Sequence, residues 1–207
     1  MSGVASRYET GIGPLDTGLG GGIPAGSIVA LLAAPTSQSE LLLSQFATDR
    51  PTLYLTARRS VSSVRKAFES TGAEASNRFV RAVDSDAPLV EIAGYVKRVA
   101  KPSVVVIDPM DAVETCDTKS LRRFLVWLQE RLDATESIAV LHCLAGSSAS
   151  EQRDVTTYMA DLVFNLETSV DNQTVENRLS VPKFRGGPAL PAPLNLELTE
   201  RVAVDID

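Results

Sequence analysis

Cysteine and histidine are almost missing from these 207 residues: Cys116, Cys143 and His142 are all there are. Two distant thiols build neither a disulfide framework nor a cysteine-rich zinc site, and one imidazole leaves no second histidine for a His-based metal cluster. A reducing cytoplasm is the expected compartment. No run reaches the roughly 18 apolar residues of a spanning helix, and residues 1–8 lack a signal-peptide core, so no membrane partner is expected. Excess positive charge is missing too. A net charge of -6 and a pI near 4.9 argue against a nucleic-acid surface, which needs Lys and Arg to neutralise phosphates. Lysine first occurs at Lys66.

What is there is a chain long enough for one compact domain with a sizeable core, organised around residues 28–46, IVALLAAPTSQSELLLSQF. Ile28 to Leu32 form the unbroken apolar run of a central parallel strand. Residues 33–38 make a polar turn, and Leu41, Leu42, Leu43 and Phe46 mark the buried side of a following helix. A strand, a tight turn and a helix start form the frame that cradles a triphosphate, since free N–H groups and the helix dipole face the anion. The working motif is G-x-x-x-x-G-K-[ST]. In register, Ala33 and Gln38 stand at the glycine positions, Ser39 at the lysine and Glu40 at the hydroxyl. All four defining residues differ. Thr36 and Ser37 complete a turn with the outline of a phosphate loop and none of its ligands. An acid about 4 Å from a phosphate repels by about 4 kcal/mol at an effective dielectric of 20, where lysine would attract.

The rest of the chain alternates strands and helices. Strands are expected at 51–57 (PTLYLTA), 79–83, 103–108 (SVVVID) and 138–144, and helices at 61–71, 89–100 and 120–132, with Lys101-Pro102 closing the second. On the third, Leu121, Phe124, Leu125 and Leu128 form the buried stripe, and Arg122, Arg123, Glu130 and Arg131 the solvated face. Trp127 lies off that stripe, at an interface or at the core edge, while His142 and Cys143 read as core. This rhythm predicts an α/β domain with a mostly parallel central sheet flanked by helices. The strand ends at Ala33, 57–59, Asp108 and 144–148 should meet at one edge. Before the core, residues 10–27 (TGIGPLDTGLGGGIPAGS) read as a packed loop with a short helical turn at 14–19. After it, strands at 161–167 and 175–184 predict an antiparallel hairpin turning at Asp171-Asn172, with Pro182 at an edge or bulge, and a final strand at 194–198.

Together these stretches resemble the KaiC-like branch of RecA-type ATPases over nearly the whole chain. The residues that carry the likeness are the 10–27 loop, Gln45-Phe46, the strand at 53–56, the Walker B-like strand 104–108, and Lys183-Phe184-Arg185-Gly186 after the hairpin. The resemblance implies a RecA-like P-loop NTPase fold in one domain: an entrance loop at 1–27, an α/β core at 28–148, and a helix, hairpin and terminal strand at 149–207. In that family an acidic pair after the second strand activates the attacking water. Arg58 and Arg59 occupy those positions, and a guanidinium cannot serve as that base. Asp108 stands at the Walker B position, and in the absence of a lysine loop it reads as a cap for the next turn. Arg58 and Arg59 are free to pair with Glu40 or Asp108 or to hold an anion, internal pairing being the favoured expectation. Lys183 and Arg185 match a K-x-R that in the family reaches across a subunit boundary; an exposed basic edge that discourages strand pairing is the equal alternative.

The expectation is therefore a pseudo-ATPase with no catalytic residues and no cofactor. It would act as a regulatory or assembly partner of an active RecA- or KaiC-type paralogue, or of itself. One alternative is a divergent ATPase that binds ATP and magnesium through Glu40, Arg58 and Asp108; another is a DNA-recombination accessory.

Overall fold

The computed structural model describes residues 6–48, 50–70, 77–84, 86–100, 102–171, 174–188 and 190–205. The turn expected at Asn172 and the helix stop expected at Lys101 lie outside the described residues. The strands are β1 (Arg7–Tyr8), β2 (Ile23–Pro24), β3 (Ile28–Ala33), β4 (Thr52–Thr56), β5 (Arg78–Ala82), β6 (Val104–Asp108) and β7 (Ile138–Leu144), followed by β8 (Leu162–Val170), β9 (Val175–Phe184), β10 (Leu194–Leu198) and β11 (Val202–Val204). The helices are α1 (Gly13–Gly18), α2 (Ser39–Phe46), α3 (Val61–Ser70), α4 (Pro88–Val96), α5 (Thr118–Thr135) and α6 (Arg153–Met159). Among the described residues, β3 to β11 form one sheet in the order β11-β10-β9-β8-β3-β7-β6-β4-β5. The stretch from β8 to β5 is parallel, and β8, β9, β10 and β11 pair antiparallel.

The apolar run of β3 is explained by its place, with β7 on one side and β8 on the other. It is covered on both faces. On one face Leu42, Leu43 and Phe46 of α2 and Val64 and Phe68 of α3 pack against Val29, Leu31, Val104, Val106 and Val140. On the other face Ile92 and Val96 of α4 and Leu121, Leu125 and Leu128 of α5 cover Ala30, Leu55, Ile107 and Leu141. The two sets come from alternate strand residues, as period two requires. The opening loop is packed as expected: Ile12, Leu15, Leu19 and Ile23 are all buried. It also contains more order than expected, because β2 pairs with β1. Gly22 allows that approach, since its φ is 106° and a Cβ there would collide with the Tyr8 carbonyl.

Several expected boundaries shift for local reasons. α5 begins at Thr118 because the Asp117 carboxylate accepts from the Ser120 N–H as an N-cap, and it runs to Thr135, where Glu136 takes a left-handed φ of 50°. Arg131 is not on the solvated face: its Nη2 donates to the carbonyls of Lys97 and Val99. Those carbonyls belong to a tightened turn after Val96, which is why α4 stops there and not at residue 100. Trp127 is half-buried at the core edge, its ring 6.0 Å from that of Phe124. Pro182 sits at a bulge, where the β8–β9 register shifts between Val163/Lys183 and Asn165/Ser180. The last expected strand is not the last: β11 folds back onto β10, a three-residue strand too short to give a periodic signal.

Candidate functional site

The carboxyl ends of the central strands meet as expected. The Ala145 N–H donates to the Ala33 carbonyl at 2.8 Å, tying β7 to the turn after β3, and the Ala57 N–H donates to the Asp108 carbonyl at 3.0 Å, tying β4 to β6. Parity within the strands then decides what points where. Val104, Val106 and Asp108 alternate toward the α2 face, as do Ile138, Val140 and His142, while Cys143 turns to the other face and is buried.

Four polar side chains form a buried chain on that face. Tyr54 Oη donates to Asp108 Oδ2 at 2.5 Å, His142 Nδ1 lies 2.6 Å from Asp108 Oδ1, and His142 Nε2 lies 3.0 Å from Ser39 Oγ. Asp108, His142 and Ser39 are 5%, 6% and 4% exposed. Burial alone would raise the Asp108 carboxyl, but the hydrogen bond and charge of His142, the Tyr54 hydroxyl and the Arg59 charge together bring it below the ordinary value. Burial, and then Asp108, pushes the Tyr54 phenol up. An ionised carboxylate only accepts, so both of its partners must donate. That places a proton on His142 Nδ1 and, in the neutral ring, leaves Nε2 to accept from the Ser39 hydroxyl.

This chain corrects two expectations. Asp108 does not cap the next turn, because both its oxygens are engaged by His142 and Tyr54. His142 is buried as a core residue is, yet it joins polar groups and not apolar ones. Tyr54 was missed. The signal was available in the alternation of TLYLT, SVVVID and IAVLHCL, which puts Tyr54, Asp108 and His142 on the α2 side of their strands.

Around the chain stand the other turn residues. Arg59 Nη1 contacts Glu40 Oε1 at 2.6 Å, with 30% and 50% of the two side chains exposed. Arg58 is exposed and borders a shallow depression with Ala57, Ala112 and Thr115. Ser37 Oγ donates back to the Ala34 carbonyl at 2.7 Å, Thr36 is exposed, Ala33 is buried, and Gln38 makes no side-chain cap at the start of α2. A nucleotide with magnesium does not fit this set. The acid that would assist the metal is bound to His142 and Tyr54, a serine holds the lysine position, and the carboxylate of Glu40 stands where a hydroxyl is needed. Among the described residues no group of three or more His, Cys, Asp or Glu is placed to hold a metal ion.

A second buried cluster lies on the opposite face, and the sequence reading missed it. Arg153 Nε donates to Glu114 Oε1 at 3.0 Å, its Nη2 reaches Asp111 Oδ1 and Glu114 Oε2, each at 2.8 Å, and its Nη1 donates to the Leu144 carbonyl at 2.6 Å. Thr156 Oγ1 donates to Glu114 Oε1 at 2.5 Å, and the Leu144 N–H donates to Asp111 Oδ2 at 3.0 Å. Two acids three residues apart in DAVE, after a strand end, were the available hint; their partner lies on α6, far along the chain.

Lys183 and Arg185 do project together, and they converge on the end of α6. Lys183 Nζ donates to the carbonyls of Thr157 at 2.8 Å and Tyr158 at 2.7 Å, and Arg185 Nη2 to that of Tyr158 at 3.0 Å. They satisfy helix-terminal acceptors. Burial, and then the neighbouring Arg185 charge, lowers the Lys183 ammonium from its ordinary value.

Three comparisons bear on this arrangement. A family model described as a family of unknown function (DUF7125) matches residues 7–207. The DNA repair protein RadA of Mycolicibacterium smegmatis is 34% identical over 121 residues, which is 56% of this chain and 25% of that protein. The chain thus spans a quarter of the length of that relative. The crystal structure of a KaiC-like protein from the hyperthermophilic archaeon Pyrococcus horikoshii superposes with a TM-score of 0.79 at 18% identity, covering 98% of this chain and 100% of the other. The fold is therefore the KaiC-like, RecA-type α/β fold, with its C-terminal antiparallel hairpin in place. No helix among the described residues is long and apolar enough to cross a membrane.

Proposed function

The chain belongs to the family of unknown function DUF7125, and from that premise we propose a RecA- and KaiC-like module that does not hydrolyse nucleotide and acts through protein contacts. The observation that carries this reading is the state of Asp108: both oxygens of the acid that would serve magnesium are held by His142 and Tyr54. Ser39 is tied to the same chain, and Glu40 is held by Arg59. The groups a nucleotide would need hold one another instead. Freeing Asp108 would leave a buried imidazole and phenol unpaired, at about 1–3 kcal/mol for each orphaned group.

The partner this reading calls for is an active RecA- or KaiC-type paralogue or a second copy of the chain. Arg185 is the more exposed member of the K-x-R pair, with 57% of its side chain in solvent although its Nε lies 3.5 Å from Asp161 Oδ1. Charge reversal of Lys183 and Arg185 should then abolish stimulation of such a partner; undiminished stimulation overturns the role in trans.

The primary test is calorimetric titration of the chain with magnesium and ATP, paired with thermal unfolding. Neither heat nor stabilisation is expected. Micromolar binding would overturn the reading in favour of a rebuilt nucleotide site using Glu40, Arg58 and Asp108. The likeness to a protein named for DNA repair supports a different reading, a recombination accessory, against which the net charge of -6 weighs. Salt-sensitive binding to DNA would favour it.

A further inference from the structure

At the other end of the strands from Asp108, where β4 and β6 begin, lies a cavity of about 400 Å³ that shares no residue with either buried polar cluster. Two features of the fold create it. β5 is the outermost strand, and alternation puts Phe79 and Arg81 on the face opposite to buried Val80, the face that α4 covers further in. α4 itself stops at Val96, because Arg131 holds the carbonyls of Lys97 and Val99, so no further helical turn covers the start of β4. Phe79 is left 56% exposed beside the opening.

The lining has the make-up of a small-molecule site, an apolar body with a few charged groups. Leu53, Phe79, Tyr95 and Val99 give the apolar surface, and Arg81 and Arg98 give the charge. Among the described residues no carboxylate pairs with either guanidinium. Arg81 spends one N–H on the neighbouring Val80 carbonyl at 2.9 Å. Both therefore keep donors for an outside anion, and a planar guanidinium matches a carboxylate. Little else polar is offered. Thr52 Oγ1 donates to the Arg50 carbonyl at 3.1 Å, and Ser103 is buried. A sugar phosphate needs partners for its hydroxyls and suits this lining poorly, whereas an apolar acid suits it well.

We propose that the cavity binds a small aromatic carboxylate, with its ring against Phe79 and Tyr95 and its carboxylate held by Arg81 and Arg98. The bound acid ties the edge strand β5 to the end of α4. This site is remote from Glu40, Arg58 and Asp108, so neither result of the magnesium–ATP titration decides it.

The test is an NMR titration of the full, isotope-labelled chain with indoleacetate, with its neutral isostere indoleacetamide, and with adenosine monophosphate. Indoleacetate should shift the amides of Phe79, Arg81, Tyr95 and Val99 together and saturably. The neutral amide, which forms no charge-assisted pair, should bind at least about tenfold more weakly. Combining Arg81→Gln with Arg98→Gln, both at exposed positions, should leave the melting temperature unchanged and abolish the preference for acid over amide, a readout that a merely structural role would not move. Phe79→Ala should weaken both ligands alike. The proposal is overturned if these amides do not move at millimolar indoleacetate, if acid and amide bind equally to the wild-type chain, or if the preference survives in the double variant. Tighter binding of adenosine monophosphate overturns it in favour of a nucleotide site, and shifts at these amides on diluting the chain alone overturn it in favour of a contact between copies.

Discussion

The two buried polar clusters stand at the same edge of one sheet, on opposite faces, and they are built on different principles. The Arg153 cluster is a bracket of formal charges. A guanidinium spends its nitrogens on two carboxylates and a carbonyl, and every contact joins α6 to the segment after β6 or to the end of β7. The Asp108 cluster holds one carboxylate and three groups that donate or relay protons, and it lies beneath the turn that in this fold faces the ligand edge. The difference teaches that polar groups are buried here in two ways: one cluster ties segments together by formal charge, the other joins a single carboxylate to phenol, imidazole and hydroxyl through hydrogen bonds. Replacing members of each should separate them by size of effect and by pH.

The largest loss is expected on the bracket side. Arg153→Met leaves Asp111 and Glu114 buried without a counter-charge, and breaking such a pair costs about 3–5 kcal/mol. Denaturant unfolding should show the midpoint falling with little change in slope. A loss under about 1 kcal/mol would mean that α6 is held by packing alone and that the two clusters do not differ as described.

Asp108→Asn should cost less, about 2–3 kcal/mol, because an amide offers one acceptor where Tyr54 and His142 both donate. Its pH dependence is the sharper measurement. The folded pKa of Asp108 lies below its unfolded value, so its contribution is present above the unfolded carboxylate range near pH 4 and is lost as pH falls through the lowered folded value. The gap between wild type and Asp108→Asn should be widest at neutral pH and close in acid. A gap independent of pH would remove the carboxylate charge from the account.

Much of the frame was legible in the chain because it depends on local pattern. The strand run at 28–32 and the buried stripe of α5 follow from the apolar pattern, the packed opening loop from the apolar residues interleaved among its glycines and prolines, and the meeting of the strand ends from the parallel topology. Ser39 was singled out by its register with a known turn and Asp108 by its place at the end of the Walker B-like strand, which says where a residue stands but not what it touches. Their joining through His142 depends on which strands are neighbours and on the parity of each. Neighbourhood is a long-range property, set by β7 lying beside both β3 and β6. The Arg153 bracket was harder still, since its members lie about 40 positions apart and a lone arginine at the start of a short helix has no periodic signature. The end of α4 was missed for the same kind of reason: Arg131, from α5, holds the carbonyls of the turn that stops it.

The smallest effect is expected at the rim, and it separates surface from interior on the α2 side. Arg59 and Glu40 form a close pair, yet both are substantially exposed, so water and salt screen them and the pair should contribute at most about 1 kcal/mol. Arg59→Gln is therefore expected to leave the unfolding midpoint within about 0.5 kcal/mol of wild type, and any difference should shrink further in high salt. Arg59 also lowers the Asp108 carboxyl, but as the last of its causes, so the acid end of the pH–stability curve should move only slightly. A loss comparable to that of Asp108→Asn would mean that the rim pair belongs to the buried chain, held in a dielectric lower than its exposure implies. The Asp108 cluster would then be a six-membered network with formal charges of both signs, and its contrast with the Arg153 bracket would disappear.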